Sequence, residues 1–232
     1  MILAVIPARG GSKRIPRKNI RSFCGQPMLA YSINAAKQSG VFDDIIVSTD
    51  DEEIASIAKQ LGASVPFMRP SALADDYTGT RAVTNQAMLA YAEQFSKPEY
   101  CCCIYATAPF LQAQYLRQGL NKLQANTQKA FAFSVTSFSF PVQRALKRSG
   151  DGVVCMYPEY ASTRSQDLEE GLHDAGQFYW GSFDGYLSDK AMFSEHSIPI
   201  ELPRHLVQDI DTEEDWTRAE LMYKAYMQQD DS

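Results

Sequence analysis

The chain begins with the stretch Ile2-Leu3-Ala4-Val5-Ile6-Pro7-Ala8-Arg9-Gly10-Gly11-Ser12-Lys13-Arg14-Ile15-Pro16-Arg17-Lys18-Asn19, in which an apolar run leads directly into a basic loop. The aliphatic and β-branched residues of the run predict a buried strand near the start of the chain. Small residues in the loop let backbone N–H groups approach an anion closely, and the Arg and Lys side chains add positive charge. The stretch therefore predicts a triphosphate cradle at the end of a buried strand.

Two common phosphate-binding patterns do not match this loop. It contains neither Gly-x-x-x-x-Gly-Lys-Ser/Thr nor the Gly-x-Gly-x-x-Gly dinucleotide fingerprint. The alternative interpretation is a surface loop whose basic side chains are only solvated. Six of the 22 Lys and Arg residues lie between Arg9 and Arg21, although the net charge of the protein is −6. This concentration favours local anion binding.

The composition limits the class of protein. A chain of 232 residues, 45% of them hydrophobic, can bury a full core as one α/β domain with a small extension. The acidic net charge argues against nucleic acid as the main partner. The five cysteines are an odd number, and three are consecutive in an apolar run, which predicts reduced, buried thiols. No apolar run reaches the ~18 residues of a membrane span. We therefore expect a soluble cytoplasmic protein with no membrane partner.

Strands and helices alternate along the first part of the chain. Gly40 and Gly62 end predicted helices over residues 27–39 and about 54–61, and strands are predicted at 44–48 and 65–67. This alternation predicts a doubly wound, mostly parallel sheet that binds ligands at the carboxyl ends of its strands. Further on, the patterns predict a helix at 81–95 with Thr80 as a possible cap, a central strand at 100–105, a helix at 113–124, a strand at 130–136 and an edge strand at 198–202.

Two aspartates near the end of the chain form a candidate metal site. Asp209 and Asp211 are two apart on an extended segment, so both carboxylates can face one hard cation such as Mg²⁺. The alternative is helix capping, because Thr212 and Asp215 form a capping pattern for a helix over 213–227. Both interpretations can hold together, since capping leaves Asp209 unexplained.

The motifs at both ends of the basic loop resemble the CMP-sialic acid synthetase family, whose members are cytidylyltransferases that activate nine-carbon acidic sugars. The residues that carry the resemblance are 7–13 and 16–19. It implies one domain over residues 1–232 with a nucleotide-diphospho-sugar transferase-like Rossmann fold. It also implies Mg²⁺ on Asp209 and Asp211, and a homodimer formed by an extension at about 137–171. The nucleotide would be bound by Ala8, Arg9, Gly10, Gly11, Ser12, Lys18, Asn19, Arg69 and Thr80, the last two because residues 69–80 are similar to the family's Arg-Pro and Leu-Ala-x-Asp stretch.

Later segments are similar to the pseudaminic acid branch of the family. The stretch 106–109 (Ala-Thr-Ala-Pro) lacks the Gln that contacts sialic acid, whereas Thr-Arg-Ser-Gln-Asp-Leu at 163–168 and His-Asp-Ala-Gly at 173–176 match that branch. An arginine can hold a sugar carboxylate bidentately, and His and Asp can bond hydroxyl or acetamido groups. For Arg164 the alternative is a solvated surface residue, and for His173 a structural histidine. The implied sugar-binding residues are Tyr105, Thr107, Arg164, Gln166, His173, Asp174 and Tyr179.

The resemblance implies transfer of CMP from CTP to the anomeric hydroxyl of the sugar, with release of pyrophosphate. Arg9 and Lys18 would stabilise the phosphoryl charge, and Asp209 would act through the metal. Two alternatives stay open. The substrate could be a sialic, legionaminic or deoxyoctulosonic acid, or the protein could be a non-catalytic sensor of a nucleotide sugar or nucleic acid.

Overall fold

Strand β1 (Ile2–Pro7) occupies the interior of the main sheet in the computed structural model, which describes residues 1–75 and 78–230. Leu3 and Val5 face one hydrophobic cluster, whereas Ala4 and Ile6 face another on the opposite side. A strand buried on both faces requires the near-continuous apolar run that the sequence shows. The predicted strand at the start of the chain is confirmed.

The main sheet has six strands in the order β10-β6-β9-β5-β1-β4, and β9 alone runs antiparallel to its neighbours. Two short antiparallel pairs, β2 with β3 and β7 with β8, lie outside it. The remaining strands are β2 (Ser22–Phe23), β3 (Gln26–Pro27), β4 (Asp44–Ser48), β5 (Tyr100–Ile104), β6 (Phe131–Ser137), β7 (Leu146–Ser149), β8 (Gly152–Cys155), β9 (Leu172–Ser182) and β10 (Ser197–Glu201).

Helices cover both faces of this sheet, which confirms the doubly wound α/β class. One face packs against the first, second and fourth helices, and the other packs against the third and fifth. The sixth helix packs through Trp216 against Phe23 in a separate aromatic cluster. In chain order the helices are α1 (Met28–Ser39), α2 (Glu52–Gln60), α3 (Thr80–Gln94), α4 (Ala113–Ala125), α5 (Phe183–Leu187) and α6 (Glu213–Asp230).

Two expectations about the elements need correction, and one strand was missed. The strand predicted at 65–67 is wrong: Ser64 forms one bridge with Ile46, and Pro66 has no N–H group to continue the ladder. Thr80 does not cap α3, because the helix begins at Thr80 itself after Gly79. The antiparallel strand β9 was not predicted at all. Asp76, the last residue of the Leu-Ala-x-Asp stretch, lies outside the described residues.

The segment between β6 and β9 stands apart from the main sheet. It carries the hairpin of β7 and β8, all of whose residues are exposed, with Gly150 in the turn at φ 57°. Cys155 is exposed on this hairpin, contrary to the expectation of buried thiols, whereas the three cysteines of β5 are buried. Within residues 1–75 and 78–230, no helix combines the length and apolarity needed to cross a bilayer.

Candidate active site

Two adjoining cavities lie at the carboxyl ends of the central strands. The first, of about 520 Å³, is lined by the basic loop, and the second, of about 590 Å³, is lined by residues of β9 and of the segment before α6. Tyr105 and Thr107, which follow β5, line both cavities. The two cavities therefore form one cleft, which we call the nucleotide cavity and the sugar cavity after the predicted roles of their residues.

Acidic residues in the segment after β4 hold the basic loop in place. The Arg17 guanidinium donates to both carboxylate oxygens of Asp51, at 2.5 and 3.0 Å, and its Nη2 also contacts Glu53 at 2.5 Å. Asp51 accepts from the Ile54 N–H at 3.0 Å as the N-cap of α2, and Arg17 holds the pKa of this carboxyl at about 2. One aspartate thus joins a helix terminus to the loop.

Two small residues of the loop, Ala8 and Gly10, make contacts that hold the loop against the rest of the protein. A Cβ on Gly10 would lie 2.6 Å from Asp51 Oδ2, so only glycine fits at this close approach. The Gly10 N–H donates to Asp50 Oδ1 at 3.0 Å, and the buried Ala8 donates to the Ser48 carbonyl at 2.9 Å. In this structure these two donors therefore point at the protein rather than into the cavity. Gly11 is exposed, and Ser12 lines the nucleotide cavity.

Three predicted nucleotide-binding residues meet in the nucleotide cavity. The Asn19 side-chain amide donates to the Arg9 carbonyl at 3.0 Å, and the Arg9 guanidinium donates to the Asp75 carbonyl at 2.8 Å. Arg69 is only 6% exposed and donates to Ser48, and burial lowers its pKa. A buried guanidinium at the cavity wall provides a fixed positive charge for a phosphate or a base carbonyl.

Tyr105 lies at the junction of the two cavities. Its hydroxyl is 3.2 Å from Thr80 Oγ1, which places Thr80 in the nucleotide cavity at the start of α3. The Tyr105 carbonyl accepts from the Ser32 hydroxyl at 2.6 Å, so the segment after β5 is also held from α1. Burial raises the pKa of Tyr105, which keeps its hydroxyl neutral as a donor.

The two aspartates before α6 lie at the cleft, and Asp211 pairs with the basic loop. Asp211 Oδ1 is 3.3 Å from Lys18 Nζ, and Asp211 Oδ2 is 2.9 Å from Arg14 Nη1. Asp209 lines the sugar cavity, and its pKa is raised by its partial removal from water and by the neighbouring Asp211. The predicted capping pattern is confirmed as well: Thr212 N–H donates to Asp215 Oδ2 at 2.9 Å, and Asp215 N–H donates to Thr212 Oγ1 at 3.2 Å. The cap uses no carboxylate oxygen of Asp209 or Asp211, so the metal site remains a prediction.

Side chains of β9 form part of the sugar cavity. His173 and Asp174 line it, and Asp174 is fixed by the Tyr179 hydroxyl at 2.6 Å and by the Gly176 N–H at 2.9 Å. Tyr179 is buried behind Asp174 and supports it, and burial raises the pKa of this tyrosine. His173 and Asp174 therefore line the cavity, whereas Tyr179 supports Asp174 from behind.

Two predicted sugar residues lie outside this cleft. Arg164 and Gln166 are exposed in the segment between β8 and β9, and the Arg164 guanidinium pairs with Asp167 at 2.7 and 3.3 Å. Neither lines the nucleotide cavity or the sugar cavity of the described chain. The sequence analysis missed two other arginines, Arg204 and Arg218, which do line the sugar cavity.

Cations from one loop, carboxylates from a distant segment and a polar cavity at strand ends make a site suited to nucleotidyl transfer. A cytidylyltransferase family model matches residues 3–220. The chain belongs to the cytidylyltransferase family.

Individual relatives agree with this assignment. The chain is 45% identical to a pseudaminic acid cytidylyltransferase of Campylobacter jejuni subsp. jejuni serotype O:23/36 (strain 81-176), covering 96% of both chains. It is 31% identical to a CMP-N,N'-diacetyllegionaminic acid synthase of Legionella pneumophila subsp. pneumophila strain Philadelphia 1, covering 94% of both. The solved structure of a CMP:2-keto-3-deoxy-manno-octonic acid synthetase complexed with CTP aligns over 99% of both chains with a TM-score of 0.70 at 16% identity, which supports the fold.

Proposed function

We propose that the protein transfers the cytidylyl group of CTP to the anomeric hydroxyl of pseudaminic acid, giving CMP-pseudaminic acid and pyrophosphate. The observation that carries the proposal is the contact of the loop with the acidic pair: Lys18 Nζ lies 3.3 Å from Asp211 Oδ1 at the cleft. The choice of sugar rests on the relative from Campylobacter jejuni, which is 45% identical and is named for pseudaminic acid.

Each side of the cleft has a distinct part in the proposed reaction. Arg9, Lys18 and Arg69 line the nucleotide cavity and supply positive charge for the triphosphate and the leaving pyrophosphate. Thr107 and Tyr105 lie between the two cavities, where the α-phosphorus and the attacking hydroxyl must meet. Asp174, held by Tyr179, accepts a hydroxyl or amide hydrogen of the sugar. Positioning and charge neutralisation therefore account for most of the chemistry.

The acidic pair fits Mg²⁺, which prefers oxygen ligands and is often bound by one or two carboxylates together with substrate phosphates. Asp209 and Asp211 would provide these oxygens, and the pKa of Asp209 is raised by its partial burial and, after that, by the negative charge of Asp211. Among residues 1–75 and 78–230, no group of three or more His, Cys, Asp or Glu side chains could hold a metal, so phosphate and water would complete the shell. When bound, Mg²⁺ would neutralise phosphoryl charge and lower the pKa of the attacking hydroxyl.

We further propose that the protein is a homodimer formed through the segment between β6 and β9. This segment exposes many large apolar side chains, and such a concentration is typical of a protein interface. Phe140 is 81% exposed and Val153 63% exposed. Arg164 and Gln166 lie on the same segment, so in a dimer they could reach the sugar cavity of the other subunit. As part of the proposal we expect a cytoplasmic enzyme, because the buried thiols of β5 suit a reducing compartment.

Pyrophosphate release tests the proposed function. The protein is incubated with CTP, Mg²⁺ and pseudaminic, legionaminic or sialic acid, and each reaction is repeated with EDTA. We expect turnover with pseudaminic acid in preference to the other two, and loss of turnover with EDTA. Arg9→Ala and Asp209→Asn should each lower kcat about 10²- to 10³-fold, as single electrostatic contacts do elsewhere. Equal turnover of the three sugars would contradict the proposed preference for pseudaminic acid. Undiminished turnover in EDTA would contradict the proposed requirement for Mg²⁺.

A further inference from the structure

The sugar cavity contains arginines that the family motifs do not include. Arg204 and Arg218 line it beside Asp209 and Thr107. We propose that Arg218 binds the carboxylate of the acidic sugar within the same subunit and thereby selects acidic over neutral sugars. The inference rests on the proposed function, because it assigns a substrate group to the sugar cavity.

The chemistry of the substrate restricts where its carboxylate can lie. In a 2-keto acid sugar, the carboxylate carbon is bonded directly to the anomeric carbon whose hydroxyl attacks the α-phosphorus. The carboxylate must therefore bind close to the junction of the two cavities, near the acidic pair, and not at the far wall of the sugar cavity. A cation at this place would both bind the sugar and orient its hydroxyl.

Arg218 is connected to that end of the cavity through Asp215. Asp215 Oδ2 accepts from the Asp211 N–H at 3.2 Å, and Asp215 Oδ1 lies 3.5 Å from Arg218 Nη2. Arg218 and Met222 both line the cavity, one helical turn apart on the same face of α6. The helix that follows the acidic pair thus places Arg218 in the sugar cavity and links it to Asp211 through Asp215.

The present contacts of Arg218 leave it able to take a ligand. Its 3.5 Å separation from Asp215 is longer than a charge-assisted hydrogen bond, and its side chain is 60% exposed. Asp215 Oδ2 is already used by the cap of α6, including the Thr212 hydroxyl at 2.8 Å. Asp215 can therefore position the guanidinium without neutralising it as a close bidentate pair would.

The two other candidate arginines are less suitable. Arg204 Nη1 donates to the Phe138 carbonyl at 3.2 Å, and Phe138 belongs to the segment between β6 and β9. Arg164 pairs with Asp167 at 2.7 Å and lies outside the cavities of its own subunit. Arg164 would need a second subunit to reach the sugar, whereas Arg218 requires none.

The test compares the acidic sugar with its carboxyl methyl ester, which keeps the ring and hydroxyl but removes the negative charge. KM and kcat are measured at saturating CTP for the wild-type protein and for Arg218→Gln, Arg204→Gln and Arg164→Gln. Lys224→Gln is the matched control, because it removes one positive charge from an exposed position of the same helix outside the cavity. The KM for CTP is measured in parallel to detect general damage to the site.

We expect the wild-type and Lys224→Gln proteins to prefer the acid over the ester by about 10- to 100-fold in kcat/KM, the size of one charge-assisted contact. Arg218→Gln should reduce this preference to within about threefold, mainly through KM for the sugar, with KM for CTP unchanged. An undiminished preference in Arg218→Gln, or a loss confined to Arg164→Gln or to Arg204→Gln, would overturn the inference. Absence of wild-type turnover with every acidic sugar would instead overturn the proposed function.

Discussion

Replacing Asp51 with asparagine removes the charge that anchors the basic loop while keeping the shape of the side chain. Asp51 accepts from Arg17 at 2.5 and 3.0 Å and caps α2 through the Ile54 N–H. Asparagine is also a good N-cap, so the helix terminus should survive. What is lost is the charge-assisted pair between the helix and the loop.

The size of the effect follows from the burial of the pair. Hydrogen bonds to charged groups contribute about 1.5–3 kcal/mol. The side chain of Asp51 is 22% exposed and that of Arg17 is 37% exposed, so solvent screening reduces the expected loss of unfolding free energy to about 1–2 kcal/mol. For a chain of this length we expect the Tm to fall by roughly 2–8 °C. Glu53→Gln is the matched control, because it removes a 67% exposed partner of the same arginine and should cost less than about 0.5 kcal/mol.

The contribution of Asp51 should also depend on pH. The folded pKa of Asp51 is about 2, below its ordinary value of 3.8, so the unfolded chain takes up the proton more readily. The stabilisation is therefore fully present above about pH 4 and is lost as the pH falls towards 2. Urea unfolding at pH 7 and pH 3 should show the difference between wild-type and Asp51→Asn proteins shrinking at the lower pH.

Loosening the loop should also weaken catalysis, and we expect kcat/KM for CTP in Asp51→Asn to fall about tenfold, equivalent to about 1.4 kcal/mol. Thermal melts and pyrophosphate release together measure both effects. A Tm of Asp51→Asn within 1 °C of the wild-type value would refute the assignment of Asp51 as the anchor. A fall in Tm of the same size in Glu53→Gln would refute it as well.

Two further predictions concern packing and assembly. Gly10→Ala should lower the unfolding free energy by about 1–3 kcal/mol, because the added Cβ would lie 2.6 Å from a carboxylate oxygen of Asp51. Gly11→Ala, where nothing lies within 4 Å of the added atom, should change the unfolding free energy by less than about 0.5 kcal/mol in chemical denaturation. In the second prediction, Phe140→Ser should shift the protein from dimer to monomer in analytical ultracentrifugation. Leu221→Ser, which changes a 63% exposed residue of α6, should not. A stable wild-type monomer, or equal effects of both changes, would contradict the proposed interface.

The first strands and helices could be predicted because their signals are local. The apolar run of β1 and the glycine stops at Gly40, with φ 66°, and Gly62, with φ 84°, lie within or next to the elements that they define. Strand β9 gives no such signal, because polar residues precede its apolar end and its register shifts opposite Phe133 and Val135 of β6. Its position between β5 and β6 depends on pairings between residues far apart in the chain.

In the candidate site, too, local motifs could be predicted and long-range contacts could not. The basic loop and the acidic pair are visible as compact motifs, and the structure places Lys18 beside Asp211, 193 positions apart. Arg218 could not be recognised, because one arginine on an amphipathic helix is usually a solvated charge. Only the direction of α6 after the acidic pair places it in the sugar cavity. The anchoring by Asp51 likewise depends on a long-range contact that no spacing predicts.

The most direct test of the central claim is a crystal structure of the protein with CTP and Mn²⁺, in which anomalous scattering locates the metal. The account predicts one CTP whose triphosphate contacts Arg9 and Lys18, with the metal bound between its phosphates and Asp209 and Asp211. A nucleotide bound away from the basic loop, or a metal bound without either aspartate, would contradict it.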